Sequence, residues 1–301
     1  MSPKTPEIGI ALAAYKPDPK HFSEQLLSII RQTEENWICV VAFDSEIVDT
    51  GITDSRIHYI QNESRLGHVK NFEGAMSHCL NLAPGVKYLA FSDQDDVWYP
   101  EKLSVLRTKI ETLPPMSGVH SNMNLLFPDG TRVDGWNYEG RVVEKLTLTD
   151  LCLRNVCTGA AALFDASLFR QFPIIPKEIE DHDHWYALLA SHFGELAGVD
   201  QCLYDYRQHE NNVIGAQKSA SLFKLRKKRL PLEVIKGFVQ MHRQFETRVK
   251  ALPVGQSDNA TLLSYSNLVS TLVRSIFSRN RMLTRSAITA LAGRLLRRFF
   301  V

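Results

Sequence analysis

The sequence lacks the features of a disulfide-linked secreted domain and of a chain that spans a membrane. Its five cysteines are an odd number and form no C-x-x-C pair. Most of them lie in apolar segments, which is typical of small buried side chains in a reducing compartment. No signal-peptide pattern is present at the N-terminus, and no apolar run approaches the roughly 18 residues of a spanning helix. We therefore expect a cytoplasmic protein.

Acidic residues are scarce in one part of the chain. Residues 216–301 contain 17 Lys and Arg but only 3 Asp and Glu. Residues 1–215 contain 18 Lys and Arg and 30 Asp and Glu. This asymmetry predicts an acidic domain over residues 1–215 and a basic extension that contacts an anionic partner. An anionic membrane surface, a nucleic acid and an acidic protein are all consistent with it.

The first 215 residues alternate between short apolar runs and amphipathic segments. Continuous apolar runs are typical of strands buried on both faces of a parallel sheet. The alternation predicts an α/β fold with a mainly parallel sheet flanked by helices. The predicted strands cover residues 8–14, 37–43, 57–60, 86–91, 119–127, 158–164 and 196–206. The predicted helices cover residues 21–32, 67–82, 100–112, 147–153 and 181–193, and three more are predicted near 220–250, 258–279 and 281–300.

Three carboxylates crowd into four positions after the fourth predicted strand. Asp93, Asp95 and Asp96 follow an apolar run that ends at Phe91. Like charges at this spacing repel one another, and hard oxygen ligands suit Mg²⁺ or Mn²⁺ held together with substrate phosphates. A solvated turn is the alternative. Asp96 is either a further ligand or the cap of the helix that begins near Pro100.

Polar residues also follow the first two predicted strands. Tyr15 comes after the first strand and Asp44 comes after the second. The carboxyl ends of parallel strands share one edge of the sheet, and ligands of such sheets bind there. We therefore expect Tyr15, Asp44 and the acidic cluster to converge on one rim.

Three motifs in order resemble those of the inverting glycosyltransferases of family 2. They are residues 91–98 (FSDQDDVW), 182–185 (HDHW) and 206–215 (YRQHENNVIG). The resemblance covers residues 8 to about 215, and it implies the Rossmann-like, nucleotide-sugar-binding A-type fold. Within the family, the motifs resemble the branch that includes bacterial rhamnosyltransferases of surface-polysaccharide assembly.

The resemblance implies a metal-dependent transfer. Asp93 and Asp95 correspond to the aspartates of the metal motif, where Mn²⁺ or Mg²⁺ stabilises the leaving diphosphate. His209 is expected to contribute to metal or phosphate binding. Asp183 corresponds to the base that takes the proton of the acceptor, at the start of a helix that favours its ionised form.

The same resemblance places the donor nucleotide near the N-terminus. Tyr15 is expected to flank or stack on a pyrimidine, and Asp44 to accept from its N3–H. Phe43 replaces one acid of the pair that family members often carry there. Lys70 is either a phosphate ligand or an exposed helix lysine. The predicted nucleotide and diphosphate residues are Ala13, Tyr15, Asp44, Arg65, Lys70, Asn71, Asp93 and Arg207.

The acceptor is predicted to contact Thr158, Gly159, His182 and Trp185. Small residues at 158–159 let a sugar approach the backbone, or simply allow a tight entry into a strand. Asp181 fits an N-cap of the following helix. Residues 181–184 also resemble a structural metal cluster, although no fourth ligand has suitable spacing.

The basic extension ends in an amphipathic pattern accompanied by arginines. Its apolar stripe consists of Leu283, Ala287, Leu291, Leu295 and Phe299. Such a helix can lie on an anionic leaflet, or it can pack on the catalytic domain or a second subunit. The basic cluster at residues 224–229 lacks interleaved aromatic residues, so nucleic acid is not an expected partner.

These patterns predict an inverting glycosyltransferase with a dTDP- or UDP-linked donor, rhamnose being the first candidate sugar. The expected acceptor is a hydroxyl of a lipid-linked surface-polysaccharide or lipopolysaccharide glycan, at the inner face of the cytoplasmic membrane. A processive synthase is disfavoured, because neither membrane spans nor a Gln-x-x-Arg-Trp signature is present. The alternative from another class is a noncatalytic scaffold that binds membranes or an assembly partner through residues 216–301.

Overall fold

Strands and helices alternate along the chain. The computed structural model describes residues 5–139, 146–177 and 179–208, together with residues 247–248, 250–253, 287–288 and 291. The strands are β1 Ile8–Ala14, β2 Trp37–Phe43, β3 Ile57–Gln61, β4 Tyr88–Ser92, β5 Val97–Trp98, β6 Gly118–Leu126, β7 Arg132–Asp134, β8 Ala162–Asp165 and β9 Leu196–Arg207. The helices are α1 Pro19–Ile30, α2 His68–Leu82, α3 Lys102–Ile110, α4 Gly135–Glu139, α5 Leu148–Leu153, α6 Ala166–Gln171 and α7 His182–Phe193.

The strands form one mixed sheet. Its order is β3-β2-β1-β4-β8-β6-β9-β5, and β7 pairs with β6. The N-terminal half, β3-β2-β1-β4, is parallel throughout, so the carboxyl ends of these strands share one edge. Strand β8 runs antiparallel to β4, which brings the loop that precedes β8 to the same edge. This arrangement positions the candidate site.

The two faces of β1 show why an uninterrupted apolar run was needed. Ile8, Ile10 and Leu12 belong to the core on the side of α1, whereas Ala11 belongs to the core on the side of α2. Alternate side chains of a strand point to opposite faces, so a strand covered by helices on both faces has no solvent-facing positions. Among the seven β1 residues, Ala13 alone is partly exposed, at the rim.

Local sequence signals account for the helix boundaries on one face. Asp18 caps α1 by accepting from the backbone N–H groups of Lys20 and His21, and Pro19 occupies the first turn. Helix α3 begins after Glu101, so the alternative in which Asp96 caps this helix is wrong. The helix starts at Lys102, six residues beyond Asp96, because residues 97–98 pair with β9 as strand β5.

The fold class predicted from the sequence is confirmed. The main departures lie in short elements: residues 159–161 form a 3-10 turn rather than strand, and α6 follows β8 directly. Residues 132–139, for which no strand or helix was predicted, contain β7 and α4. The expectation that most cysteines are small buried side chains is confirmed, since four of the five are buried.

Only fragments of the basic extension lie within the described residues. Ala287 and Leu291, both on the predicted apolar stripe, are buried in the same hydrophobic cluster as residues of α7. The Arg248 guanidinium donates to the Cys152 carbonyl at 3.3 Å. These contacts join the extension to the catalytic domain, which was one of the two alternatives. Over the described residues, no helix has the length and apolar character needed to cross a bilayer.

Candidate active site

The predicted rim exists and is tied together by a direct hydrogen bond. Tyr15, Asp44 and Asp93 follow the carboxyl ends of β1, β2 and β4. The backbone N–H of Tyr15 donates to Gln94 Oε1 at 2.8 Å, so the end of β1 is fixed to the acidic motif at residues 93–96. Convergence on one edge follows from the parallel pairing of the three strands.

The acidic motif is a cluster of partly and fully buried carboxylates. Asp96 is fully buried, whereas Asp93 and Asp95 are partly buried. Burial, followed by the charges of Asp95 and Asp183, raises the pKa of Asp93 to about 7. Burial and the charges of Asp93 and Asp95 also raise the pKa of Asp96. Such a cluster favours a positive charge among its oxygens.

One intrinsic positive charge lies beneath the motif, and the sequence analysis missed it. Lys102 is fully buried, and its Nζ lies 3.4 Å from the centre of the Trp98 ring and 4.8 Å from that of Tyr204. The Lys102 ammonium donates to the Ala160 carbonyl. Burial holds the pKa of Lys102 well below its usual value, while the charges of Asp96 and Asp93 act in the opposite direction.

Arg207 supports the acidic motif from the end of β9. Its Nε donates to the Asp95 carbonyl at 2.9 Å, and its backbone N–H donates to Asp96 Oδ1 at 3.3 Å. Its Nη2 also pairs with Glu24 Oε2 on α1 at 2.6 Å. The prediction that Arg207 binds the diphosphate stays a prediction, and the contacts present here hold the backbone of the motif.

Asp183 has the geometry of an oriented base. It lies in the first turn of α7, where Oδ1 accepts from Asn155 Nδ2 at 2.8 Å and from the His184 N–H at 2.6 Å. Oδ2 accepts from the Gly159 N–H at 2.7 Å. Burial, then the charge of Asp181, raises the pKa of Asp183 to about 6, although these three hydrogen bonds lower it. Asn155 is a second residue that sequence reasoning missed.

Two histidines flank this base. Asp181 occupies the N-cap position of α7, but its side chain makes no capping bond and instead lies 3.7 Å from His68 Nε2. His182 stacks on Phe72 with ring centres 3.7 Å apart, and burial lowers its pKa to about 3. His182 is therefore neutral, and it is buried in the core beside Asp183 rather than exposed at the surface.

The predicted acceptor residues divide into two groups. Thr158 and Gly159 lie at the rim beside Asp183, and an added Cβ on Gly159 would sit 2.9 Å from His182 Nε2. Gly159 is thus required for a close approach between the turn and α7. Trp185 is only 2% exposed and belongs to the hydrophobic core beneath the sheet. Its observed role is packing.

The predicted nucleotide residues lie on one side of the rim, and several are already engaged. The Arg65 guanidinium lies 4.4 Å from the centre of the Tyr15 ring, where it can pair with a phosphate or cover a base. Lys70 Nζ pairs with Glu73 at 2.5 Å, which agrees with the alternative of an exposed helix lysine. Asn71 is 2% exposed and donates to the Ala42 carbonyl at 2.8 Å, an interaction that fixes α2 to β2.

Asp44 organises the loop that leads into α2. Its Oδ1 accepts from the Leu66 N–H at 2.6 Å and its Oδ2 from the Gly67 N–H at 2.7 Å. Asn62 Nδ2 donates to Oδ1 at 3.1 Å. Burial raises the pKa of Asp44, but these hydrogen bonds outweigh it, so the net pKa lies below the usual value. The loop carries Arg65, so Asp44 also positions the nucleotide side of the rim.

The acidic motif fits a cation that is held jointly with phosphates. Among the described residues, no three His, Cys, Asp or Glu side chains stand in a metal-binding arrangement. Mg²⁺ and Mn²⁺ sites of this class need only one or two carboxylates, because substrate phosphates supply the other oxygens. Asp96 Oδ2 is a buried acceptor with no hydrogen-bond partner in the described part of the chain. His209, the other predicted ligand, lies outside the described residues.

Comparisons with known proteins find relatives that are named glycosyltransferases. The chain is 29% identical over 232 residues to an uncharacterized glycosyltransferase of Methanocaldococcus jannaschii, covering 72% of this chain and 77% of the relative. It is 26% identical over 205 residues to the putative teichuronic acid biosynthesis glycosyltransferase TuaG of Bacillus subtilis, covering 64% of this chain and 76% of TuaG.

A solved structure shares the fold. The crystal structure of S. aureus TarS 1-349 in complex with UDP-GlcNAc superposes with a TM-score of 0.55 at 12% identity, covering 96% of this chain and 92% of that one. The family described as Glycosyl transferase family 2 matches residues 16–171, which is more than half of the chain. The protein therefore belongs to glycosyltransferase family 2.

Proposed function

We propose that this enzyme is an inverting, metal-dependent glycosyltransferase that uses a dTDP- or UDP-linked sugar, with rhamnose as the first candidate. The acceptor is a hydroxyl of a lipid-linked surface-polysaccharide glycan. TuaG, named for teichuronic acid biosynthesis, supports a surface polysaccharide, and TarS in complex with UDP-GlcNAc supports a nucleotide-sugar donor. The basic residues of the extension support a peripheral position on an anionic membrane face.

One observation carries the proposal: an oriented carboxylate and an acidic motif lie on the same rim. Asp183 is near enough to Asp93 for its charge to raise the pKa of Asp93. A bound Mn²⁺ or Mg²⁺ would be held by one or two carboxylates of the motif formed by Asp93, Asp95 and Asp96, and it would supply positive charge for the diphosphate oxygens. The acidic motif thus acts on the leaving diphosphate, and Asp183 acts on the attacking hydroxyl of the acceptor.

The residues of the chain divide the remaining work. In the displacement, the acceptor oxygen bonds to the anomeric carbon while the bond from that carbon to the diphosphate oxygen breaks. The hydroxyl proton passes to Asp183, and Oδ2 is the better receiver because it accepts one hydrogen bond where Oδ1 accepts two. With a pKa of about 6, Asp183 is mostly ionised at neutral pH and still basic enough to accept a proton.

The substitution Asp183→Asn tests the role of the base. We expect transfer to fall by at least about 100-fold, since general-base catalysis contributes on this order. The Kd of UDP or dTDP with MnCl₂, measured by calorimetry, should stay within a few-fold of the wild-type value. Chelation with EDTA should abolish both nucleotide binding and transfer. Full transfer by the variant would remove Asp183 from the mechanism, and binding that EDTA leaves unchanged would exclude the cation.

A further inference from the structure

Lys102 makes contacts that a surface helix lysine does not make. It is the first residue of α3, it is fully buried, and its ammonium donates to the Ala160 carbonyl. Burying a charge is costly unless hydrogen bonds and opposite charges compensate. The Trp98 ring at 3.4 Å provides part of that compensation, as does the charge of Asp96. A methionine would fill the same space without this cost, so the amine has a specific use.

The position of Lys102 shows what that use is. Ala160 belongs to the 3-10 turn Gly159–Ala161, and the N–H of Gly159 donates to Asp183 Oδ2 at 2.7 Å. The carbonyl that accepts from Lys102 therefore belongs to Ala160, the residue directly after Gly159, whose N–H orients Asp183. Its charge acts on Asp93 and Asp96 on the other side. Lys102 thus contacts the turn directly through Ala160, and it lies beside the acidic motif through the ring of Trp98, which is two residues after Asp96.

We propose that Lys102 is a positioning residue that couples the acidic motif to the turn that orients Asp183. A cation and a diphosphate bound at the motif would attract its carboxylates. The attraction between these carboxylates and the Lys102 ammonium would then weaken. The ammonium then holds the Ala160 carbonyl, and with it the Gly159 N–H, in the arrangement that the base requires. This inference rests on the proposed function, because it assumes that the motif binds a nucleotide together with a metal.

The native chain provides the first test. Hydrogen exchange over residues 155–161 is measured with and without MnCl₂ plus UDP or dTDP, in the absence of any acceptor, while calorimetry measures the Kd. We expect slower exchange in this segment at saturating nucleotide. Binding without a change in exchange would overturn the coupling alone. Absence of binding by both nucleotides would overturn the proposed function, and the coupling with it.

Variants of Lys102 provide the second test. Lys102→Met should keep the Kd of the manganese nucleotide within about threefold, lose the protection of residues 155–161, and lower kcat roughly 10- to 100-fold at an unchanged donor KM. Lys102→Arg retains a cationic donor and should recover part of kcat and of the protection. Lys109→Met, on the same helix, is the matched control and should behave as wild type.

Two results would contradict the role of Lys102. One is wild-type protection of residues 155–161 in Lys102→Met, and the other is a loss of nucleotide affinity as large as the loss of kcat. Circular dichroism and Tm report whether each variant folds. If Lys102→Met does not fold, the exchange measurement on the native chain decides the question.

Discussion

The backbone N–H of Gly159 donates to Asp183 Oδ2 at 2.7 Å, and there is no room for a side chain on that glycine. An added Cβ would lie 2.9 Å from His182 Nε2 and 3.1 Å from Asp183 Cβ. The close approach of turn and helix therefore depends on the residue type at 159. The orientation of the base depends on it in turn.

Gly159→Ala should displace the turn from α7 and lengthen the hydrogen bond to Asp183. We expect kcat to fall about 100-fold, because a misplacement on the order of 1 Å costs this much in an oriented reaction. The Kd of the manganese nucleotide should change little. Gly74→Ala is the matched control, since an added Cβ there meets nothing within 4 Å and alanine is favoured in a helix. Steady-state kinetics on both variants check the prediction, and equal kcat values would contradict it.

In the proposed mechanism, the hydrogen bond from Asn155 affects the pH range in which Asp183 can act as the base. Its side-chain N–H stabilises the ionised form of Asp183, whose pKa burial has raised to about 6. Asn155→Ala removes a bond worth about 1 kcal/mol, so the acid limb of the kcat profile should move upward by roughly 0.7 pH unit. Activity would then be lost more strongly at pH 6 than at pH 8. An unchanged acid limb would show that another group controls the profile.

Asp44 should contribute to the free energy of unfolding through the loop that it holds. Asp44→Asn leaves the N–H of Leu66 or Gly67 facing an amide N–H₂, which costs about 1–3 kcal/mol. The pKa of Asp44 is lowered in the folded state. The contribution of Asp44 to the free energy of unfolding is therefore complete above the pKa of about 3.9 in the unfolded state, and it is lost as the pH falls through the pKa in the folded state.

The difference in unfolding free energy between wild type and Asp44→Asn should therefore be constant from pH 5 to 8 and shrink below about pH 4. Urea denaturation across this range measures it. Glu63→Gln, on the exposed part of the same loop, serves as the control and should leave the curve unchanged. A difference that grew on acidification would contradict the assignment.

The sequence allowed the sheet and most of the rim to be predicted, because both depend on local patterns. Uninterrupted apolar runs identified β1 and β2, and each ended at a polar residue that lies where expected. The acidic motif and Asp183 were recognisable from their spacing and from the resemblance to a family. Short elements such as α6 and β5 were missed, since their formation depends on neighbouring strands.

The residues that the prediction missed act through contacts that are distant in sequence. Lys102 follows Pro100 and has the appearance of an ordinary helix lysine, yet its partner Ala160 lies 58 positions away. One signal was available in the sequence: three acids within four positions have no basic residue among them, and a lysine follows six residues after the last acid. Asn155 is 28 positions from Asp183, and no local pattern distinguishes it from other loop asparagines.

The clamp formed by Arg207 has a consequence for how this protein can be shortened. Arg207 donates to the Asp95 carbonyl and pairs with Glu24. The backbone N–H of Gln208 donates to the Leu126 carbonyl at 2.8 Å. These two residues therefore hold the described end of this segment at the same edge as the acidic motif. Truncation directly after β9 would leave the new C-terminus beside the acidic motif, and a boundary that spares the proposed site has to be sought further downstream.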